Sequence, residues 1–132
     1  MSQVNAVGTG NFETEVMQSN QPVVVEFWGE ECPPCRMIAP VLDKLAGKFG
    51  DQLKIVKCNV FENQELAIKY GVNSIPNLIF FKEGQVVDQT VGYRNEAQLS
   101  AKINSVLDSN RDFEMLLLLL KGGSYGCDNY TR

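Results

Sequence analysis

Apolar and polar positions along this chain fall into segments of two alternating periods. Phe12, Val16 and Met17 share one helix face after Asn11, a residue type suited to an N-cap. Gln21-Pro22 breaks that segment. Val23-Val24-Val25-Glu26-Phe27-Trp28 is β-branched and aromatic and mostly apolar on both faces, which predicts a central buried strand with Glu26 as the odd member. Helical spacing returns from about Pro34 to Phe49, through Met37, Ile38, Val41, Leu42 and Leu45. Pro34 suits a helix start, and Pro40 inside the segment predicts a kink. Gly50-Asp51 closes it. Leu53–Val60 predicts a second strand, and Asn63–Tyr70 a short helix ended by Gly71. Asn77–Lys82 and Val86–Val91 predict two more strands joined by a tight turn at Glu83-Gly84-Gln85. Asn95 suits the cap of a last helix carrying Leu99, Ile103, Val106 and Leu107.

The order is α-β-α-β-α-β-β-α, with room for a short strand before Asn11. Strands joined through helices run parallel, and the late hairpin adds antiparallel ones. The expected fold class is α/β: a central mixed β-sheet flanked by helices on both faces. Residues after Leu107 differ in character. The extension 108–132 carries Phe113-Glu114-Met115 and then Leu116–Leu120, an apolar run without a polar face. Such a run packs on the domain, a second copy or a partner, or else is an extension without function.

A length of 132 residues suits one domain with a real core. The chain is 44% apolar and 21% charged, with a net charge of −4, and it has no basic stripe to neutralise phosphates. Nucleic acid and an anionic membrane surface are therefore poor partners. The absence of histidine excludes Ser-His-Asp and Cys-His pairs, a His-ligated zinc site and haem attachment through Cys-x-x-Cys-His. The first residues, Met1-Ser2-Gln3-Val4-Asn5, lack the pattern of a signal peptide, and Met115–Leu120 is too short to span a bilayer. A cytoplasmic location is the expectation.

The cysteines are Cys32, Cys35, Cys58 and Cys127. Cys32-Pro33-Pro34-Cys35 falls at a strand-to-helix junction, where unpaired N–H groups and the helix dipole favour a thiolate on Cys32. A thiolate attacks a disulfide to give a mixed disulfide, which Cys35 can resolve from one turn away. Zinc is the weaker reading, because the chain has no second Cys-x-x-Cys and no histidine. An inert buried thiol pair fits poorly with a prolyl pair that favours a turn and helix start. Cys58 reads as a buried core thiol, and Cys127 as an exposed one able to crosslink two chains.

The stretch Val25-Glu26-Phe27-Trp28-Gly29-Glu30-Glu31-Cys32-Pro33-Pro34-Cys35-Arg36-Met37 resembles the active-site segment of thioredoxins. Pro40 resembles the family's kinking proline, and Tyr70-Gly71-Val72-Asn73-Ser74-Ile75-Pro76-Asn77 its loop ending in a cis-proline. Phe81-Lys82-Glu83-Gly84 and Val91-Gly92 resemble its hairpin and following glycine. The likeness runs in order from about Asn11 to Leu107, so residues 1–107 are expected to form a thioredoxin domain of thioredoxin fold. It implies Cys32 as nucleophile, Cys35 as resolving thiol and a cis Pro76 lying against the disulfide. Trp28, Ile75, Val91, Gly92 and Tyr93, with Pro33 and Pro34, would receive an extended substrate segment. Disulfide-containing proteins are the implied substrates, and an NADPH-linked flavoprotein thioredoxin reductase the implied donor. No tightly bound cofactor is expected beyond the redox-active Cys32–Cys35 disulfide. The chain would be a monomer, or a weak dimer through the tail.

Three positions depart from the family pattern. Pro33 stands where glycine is usual and removes a backbone donor beside the thiolate. Weaker stabilisation of the thiolate makes a reductant at least as strong as a typical thioredoxin. Glu26 replaces a buried aspartate that can take the proton of Cys35, and Lys57 on the next strand is its expected charge partner. A purely structural Glu26–Lys57 pair is the alternative. Glu31 replaces a tryptophan and, with Glu30, sets negative charge beside the nucleophile.

The leading expectation is a dithiol reductase of protein disulfides, acting in electron transport and cell redox homeostasis. A disulfide oxidase or isomerase would need export and a better-stabilised thiolate. A redox-switched interaction module docking through Ile75–Pro76 or the leucine tail is the reading from another class.

Overall fold

The computed structural model describes residues 4–108. The leucine run, Cys127 and all but the first residue of the 108–132 extension lie outside the described residues. A five-stranded sheet has the order β1-β3-β2-β4-β5, with β1 Asn5–Ala6, β2 Val23–Trp28, β3 Lys54–Asn59, β4 Asn77–Lys82 and β5 Gln85–Val91. β1 and β2 both pair parallel to β3, whereas β4 runs antiparallel to β2 and to β5. The expected mixed sheet is present, and the short strand before Asn11 is β1.

Alternation along the strands sorts the side chains onto two layers. Val23, Val25, Phe27, Val56, Cys58, Ile79 and Phe81 form one buried cluster with Phe12, Val16 and Leu66. Those last three come from the segment after β1 and from α2, Gln64–Lys69. The Phe12, Tyr70 and Phe81 rings meet there at centroid distances of 5.4 to 5.8 Å, two of the three pairs edge-on. The opposite face carries Glu26 and faces α1, Pro33–Phe49, whose Ile38, Leu42 and Leu45 are buried. Cys58 is fully buried among apolar neighbours, and burial pushes its thiol up to about 11, so it is inert at neutral pH.

A third helix, α3, covers residues 96–108. Asn95 caps it as expected: its Oδ1 accepts from Gln98 N at 2.8 Å, while Gln98 Oε1 accepts from Asn95 N at 2.9 Å. The hairpin turn is Glu83-Gly84, both at positive φ, and β5 starts one residue earlier than expected, at Gln85. A bulge between Phe80 and Phe81 places Val87 opposite no partner.

One capping expectation fails. Asn11 does not cap a regular helix. Its Oδ1 turns back to accept from Gly8 N at 2.8 Å, and the segment Glu13–Met17 is a single π-helical turn without a side-chain cap. Asparagine offers the backbone a local turn that competes with capping, and here the turn wins. Pro40 lies within α1 as expected and leaves the Arg36 carbonyl without its helical N–H partner.

Candidate active site

The end of β2 delivers the chain to the head of α1, and the two cysteines sit at that corner. Cys32 is extended and occupies the N-cap; Pro33 and Pro34 open the helix. Their fixed φ suits the first turn, and their missing N–H groups would be unpaired there in any case. Cys32 and Cys35 are joined by a disulfide with Cα atoms 5.2 Å apart. Both residues are buried, at 5% and 3% exposure. Cys35 N donates to Cys32 Sγ at 3.2 Å, and Arg36 N donates to the Cys32 carbonyl at 3.2 Å. Two consecutive prolines leave Cys35 N as the N–H of this turn that reaches the Cys32 sulfur.

Glu26 stands beneath this corner, in register with Lys57 on β3 and Leu78 on β4. It is 4% exposed. Loss of hydration raises its carboxyl to about 7, with Lys57 pulling it down and Asp43 pushing it up. Glu26 and Lys57 are charge neighbours as expected, but no ion pair within 4 Å joins them. The Lys57 Nζ lies over the Trp28 ring instead, 5.4 Å from its centroid. Glu26, Lys57, Trp28 and Cys35 line one cleft of about 350 Å³ with Gly29, Glu30, Arg36 and Ala39. The buried carboxyl thus has an opening beside Cys35.

The Ile75–Pro76 peptide bond is cis, and Pro76 is buried. Ile75 lies just outside the β4–β5 ladder, whose first pair is Asn77↔Val91. Gly92 N donates to the Pro76 carbonyl at 2.8 Å, which brings Val91, Gly92 and Tyr93 beside the proline loop. Val91 and Tyr93 are 42% and 38% exposed. The expected site residues therefore divide into a redox corner with its floor and a partly apolar rim built by the hairpin.

Two contributors escaped sequence reading. Phe61, 66% exposed, follows β3 in a polar loop, held by Asn59 Oδ1 accepting from Phe61 N at 2.8 Å. It closes over Gly29 together with Ile75: a Cβ at Gly29 would meet Phe61 at 2.7 Å and Ile75 at 3.0 Å. A glycine after an otherwise bulky strand was the available signal. Arg36 is the second; its Nη2 donates to the Glu30 carbonyl at 2.8 Å and fixes the loop before Cys32. Glu30 and Glu31 are both exposed and share a shallow cleft with Asn59, Phe61 and Glu62.

The chain matches the family model for thioredoxin over residues 3–105. It is similar to thioredoxin 1 of Synechococcus elongatus, with 50% identity over 92 residues, covering 70% of this chain and 86% of the relative. It is also similar to thioredoxin of Haemophilus influenzae, 46% identical over 104 residues, which covers 79% of this chain and 97% of that protein. Thioredoxin of Pseudomonas aeruginosa is 43% identical over 99 residues, 75% of this chain and 92% of the relative. With a family model spanning most of the sequence and relatives matched over nearly their whole length, the chain belongs to the thioredoxin family and is a thiol–disulfide oxidoreductase that reduces protein disulfides.

Proposed function

We propose that Cys32 is the nucleophile and Cys35 the resolving thiol, with Glu26 as proton acceptor for Cys35. In the reduced protein the Cys32 thiolate attacks a substrate disulfide, one substrate sulfur leaves as a thiolate, and a mixed disulfide forms. Glu26 then takes the Cys35 proton. The Cys35 thiolate attacks Cys32, the bond to substrate breaks, and the second substrate sulfur leaves with the electron pair. The single observation that carries this assignment is the placement of Cys32 Sγ on the N–H of Cys35 at the head of α1. The carboxyl of Glu26, raised to about 7, is poised to accept a proton near neutral pH. Lys57 lowers that value and so tunes the base rather than pairing with it.

Substrate lies along Trp28, Pro33, Pro34 and Ile75–Pro76, bounded by Val91, Gly92 and Tyr93. An extended segment beside Ile75 can hydrogen-bond to backbone there while its side chains meet the partly apolar rim. The electron donor is a flavoprotein thioredoxin reductase, no tightly bound cofactor is needed, and the protein acts in the cytoplasm. Residues 1–107 form the catalytic domain, with 108–132 as an extension outside it. Reduction of insulin disulfides with dithiothreitol tests the assignment. The intact protein accelerates insulin precipitation and Cys32→Ser does not; equal acceleration by both would assign the nucleophile elsewhere.

A further inference from the structure

Phe61 stands exposed beside the redox corner, and a set of hydrogen bonds holds it there. β2 and β3 end in register at Trp28↔Asn59, and Val60 N donates to the Trp28 carbonyl at 2.9 Å. The Asn59 side chain then accepts from Phe61 N at 2.8 Å and from Glu62 N at 3.3 Å, and Asn63 Nδ2 donates to the Asn59 carbonyl at 3.0 Å. Such a turn fixes the backbone under the ring. The ring itself leans on Gly29, just before Glu30-Glu31-Cys32, and Ile75 meets the same glycine.

Two boundaries meet at Ile75. The hairpin rim reaches the Ile75–Pro76 loop through the bond from Gly92 N to the Pro76 carbonyl, and Phe61 reaches it across Gly29. The apolar surface beside Cys32 therefore continues past the part assigned to substrate above. Its surroundings are acidic. A cleft of about 230 Å³ is lined by Phe61, Glu30, Glu31, Asn59 and Glu62, and a second cleft that also touches Phe61 adds Glu65. Among the described residues, neither cleft is lined by a lysine or an arginine. Resting on the readings of Cys32 as nucleophile and Ile75–Pro76 as the substrate seat, we propose that Phe61 is a specificity-determining residue that receives an arginine side chain next to the reacting cysteine of the substrate.

Shape and charge together choose the occupant. An apolar side chain laid on Phe61 gains contact alone, and an acidic one is repelled by the carboxylates around it. An arginine answers both features: its stem and planar guanidinium lie on the ring, and its charge stands among Glu30, Glu31 and Glu62. Those carboxylates are exposed and act through their field, which salt screens; the ring acts by contact, which salt leaves in place. Glu31 directly precedes Cys32, so the cleft lies next to the attacking thiolate. The exchange itself is unchanged: the substrate sulfur bonds to Cys32, and its former partner sulfur leaves with the electron pair. The arginine speeds that first attack by holding the substrate cysteine at Cys32.

The test reads the first attack alone. Cys35→Ser is mixed with short peptides, capped at both ends, whose cysteine is activated with thionitrobenzoate and flanked on both sides by arginine or by its neutral isostere citrulline. Attack of the Cys32 thiolate on the peptide sulfur releases the chromophore. The doubly substituted Cys32→Ser, Cys35→Ser protein keeps Cys58 and Cys127 and supplies the background. Release from it as fast as from Cys35→Ser overturns the nucleophile reading, a failure distinct from that of the arginine contact. In about 1 M salt the field of the exposed carboxylates is screened within about 3 Å. There Cys35→Ser reacts roughly two- to fivefold faster with the arginine peptide than with the citrulline peptide, the range for a cation on an exposed ring. Phe61→Ala and Phe61→Leu, each added to Cys35→Ser, equalise the two peptides at high salt, and Phe61→Tyr keeps the preference. Equal rates with Cys35→Ser itself at high salt overturn the proposal. So does a preference that survives Phe61→Ala or Phe61→Leu there.

Discussion

Glu26 and Glu31 are the same side chain on either side of one strand end, and they occupy opposite physical regimes. Glu26 is walled in by β3, β4 and α1, and its carboxyl is raised to about 7 by lost hydration. Glu31 is exposed beside Cys32, on a rim shared with Glu30 and Glu62. Charge in the floor costs several kcal/mol and is therefore coupled to proton movement; charge on the rim is solvated and acts at long range on partners. In this chain burial, with residue type held constant, separates a carboxyl that holds its proton to near neutral pH from a solvated surface charge.

The largest effect expected from dividing floor from rim comes at the dithiol. Cys35→Ser reduces insulin turnover to background, and a Cys32-linked substrate adduct accumulates on nonreducing gels. Release of that adduct without Cys35 would place the resolving group elsewhere.

Glu26→Gln slows resolution on the order of 10²-fold, the usual contribution of a positioned base. The same variant gains stability at high pH. Because the folded protein holds the Glu26 proton up to about 7 against an unfolded value near 4.5, the native state binds the extra proton between those limits. Stability is therefore fully present below pH 4.5 and falls as pH rises through 7, by about 3 kcal/mol in all. Urea midpoints at pH 5 and pH 8 check this: the wild type weakens at pH 8, and the glutamine variant loses that dependence. Equal pH dependence in both proteins would remove Glu26 from the floor's proton chemistry.

Pro33→Gly restores an N–H at the helix start. A hydrogen bond to the Cys32 thiolate worth roughly 1.4 kcal/mol raises the potential by about 30 mV, making the protein less reducing. Equilibration against glutathione reads the shift, and an unchanged potential would mean that the restored N–H does not reach the sulfur. The smallest effect belongs to the rim. Glu31→Gln slows reduction of a Lys-rich disulfide peptide a few-fold at low salt, within roughly 1 kcal/mol, and salt erases the difference. A difference that persists at high salt would make Glu31 a direct contact rather than a source of field.

The elements, their order and the Cys-x-x-Cys corner were legible because local signals carried them. Periods of two and of 3.6, the β-branched run Val23–Trp28, the prolines opening α1 and the glycine of the Glu83-Gly84 turn are all properties of neighbouring residues. Asn95 acts as a cap because its partner, Gln98, lies within the same turn. Asn11 was misread because its side chain had a competing local partner in the Gly8 N–H, and periodicity is blind to that choice.

Glu26 and Lys57 were identifiable as neighbours, since adjacent parallel strands bring them into register. Where the ammonium comes to rest was not. A lysine stem reaches several partners, and here it lies over Trp28 rather than on the carboxylate. Phe61 over Gly29 and Asp43 near Glu26 belong to the same class, set by the meeting of a loop, a strand end and a helix distant along the chain. The residue string was enough to specify the chemistry at Cys32 and Cys35, because two thiols at a helix start carry it in a few consecutive positions. Which side chains close over Glu26 depends on how α1 lies across β2 and β3, and packing volume has no local code.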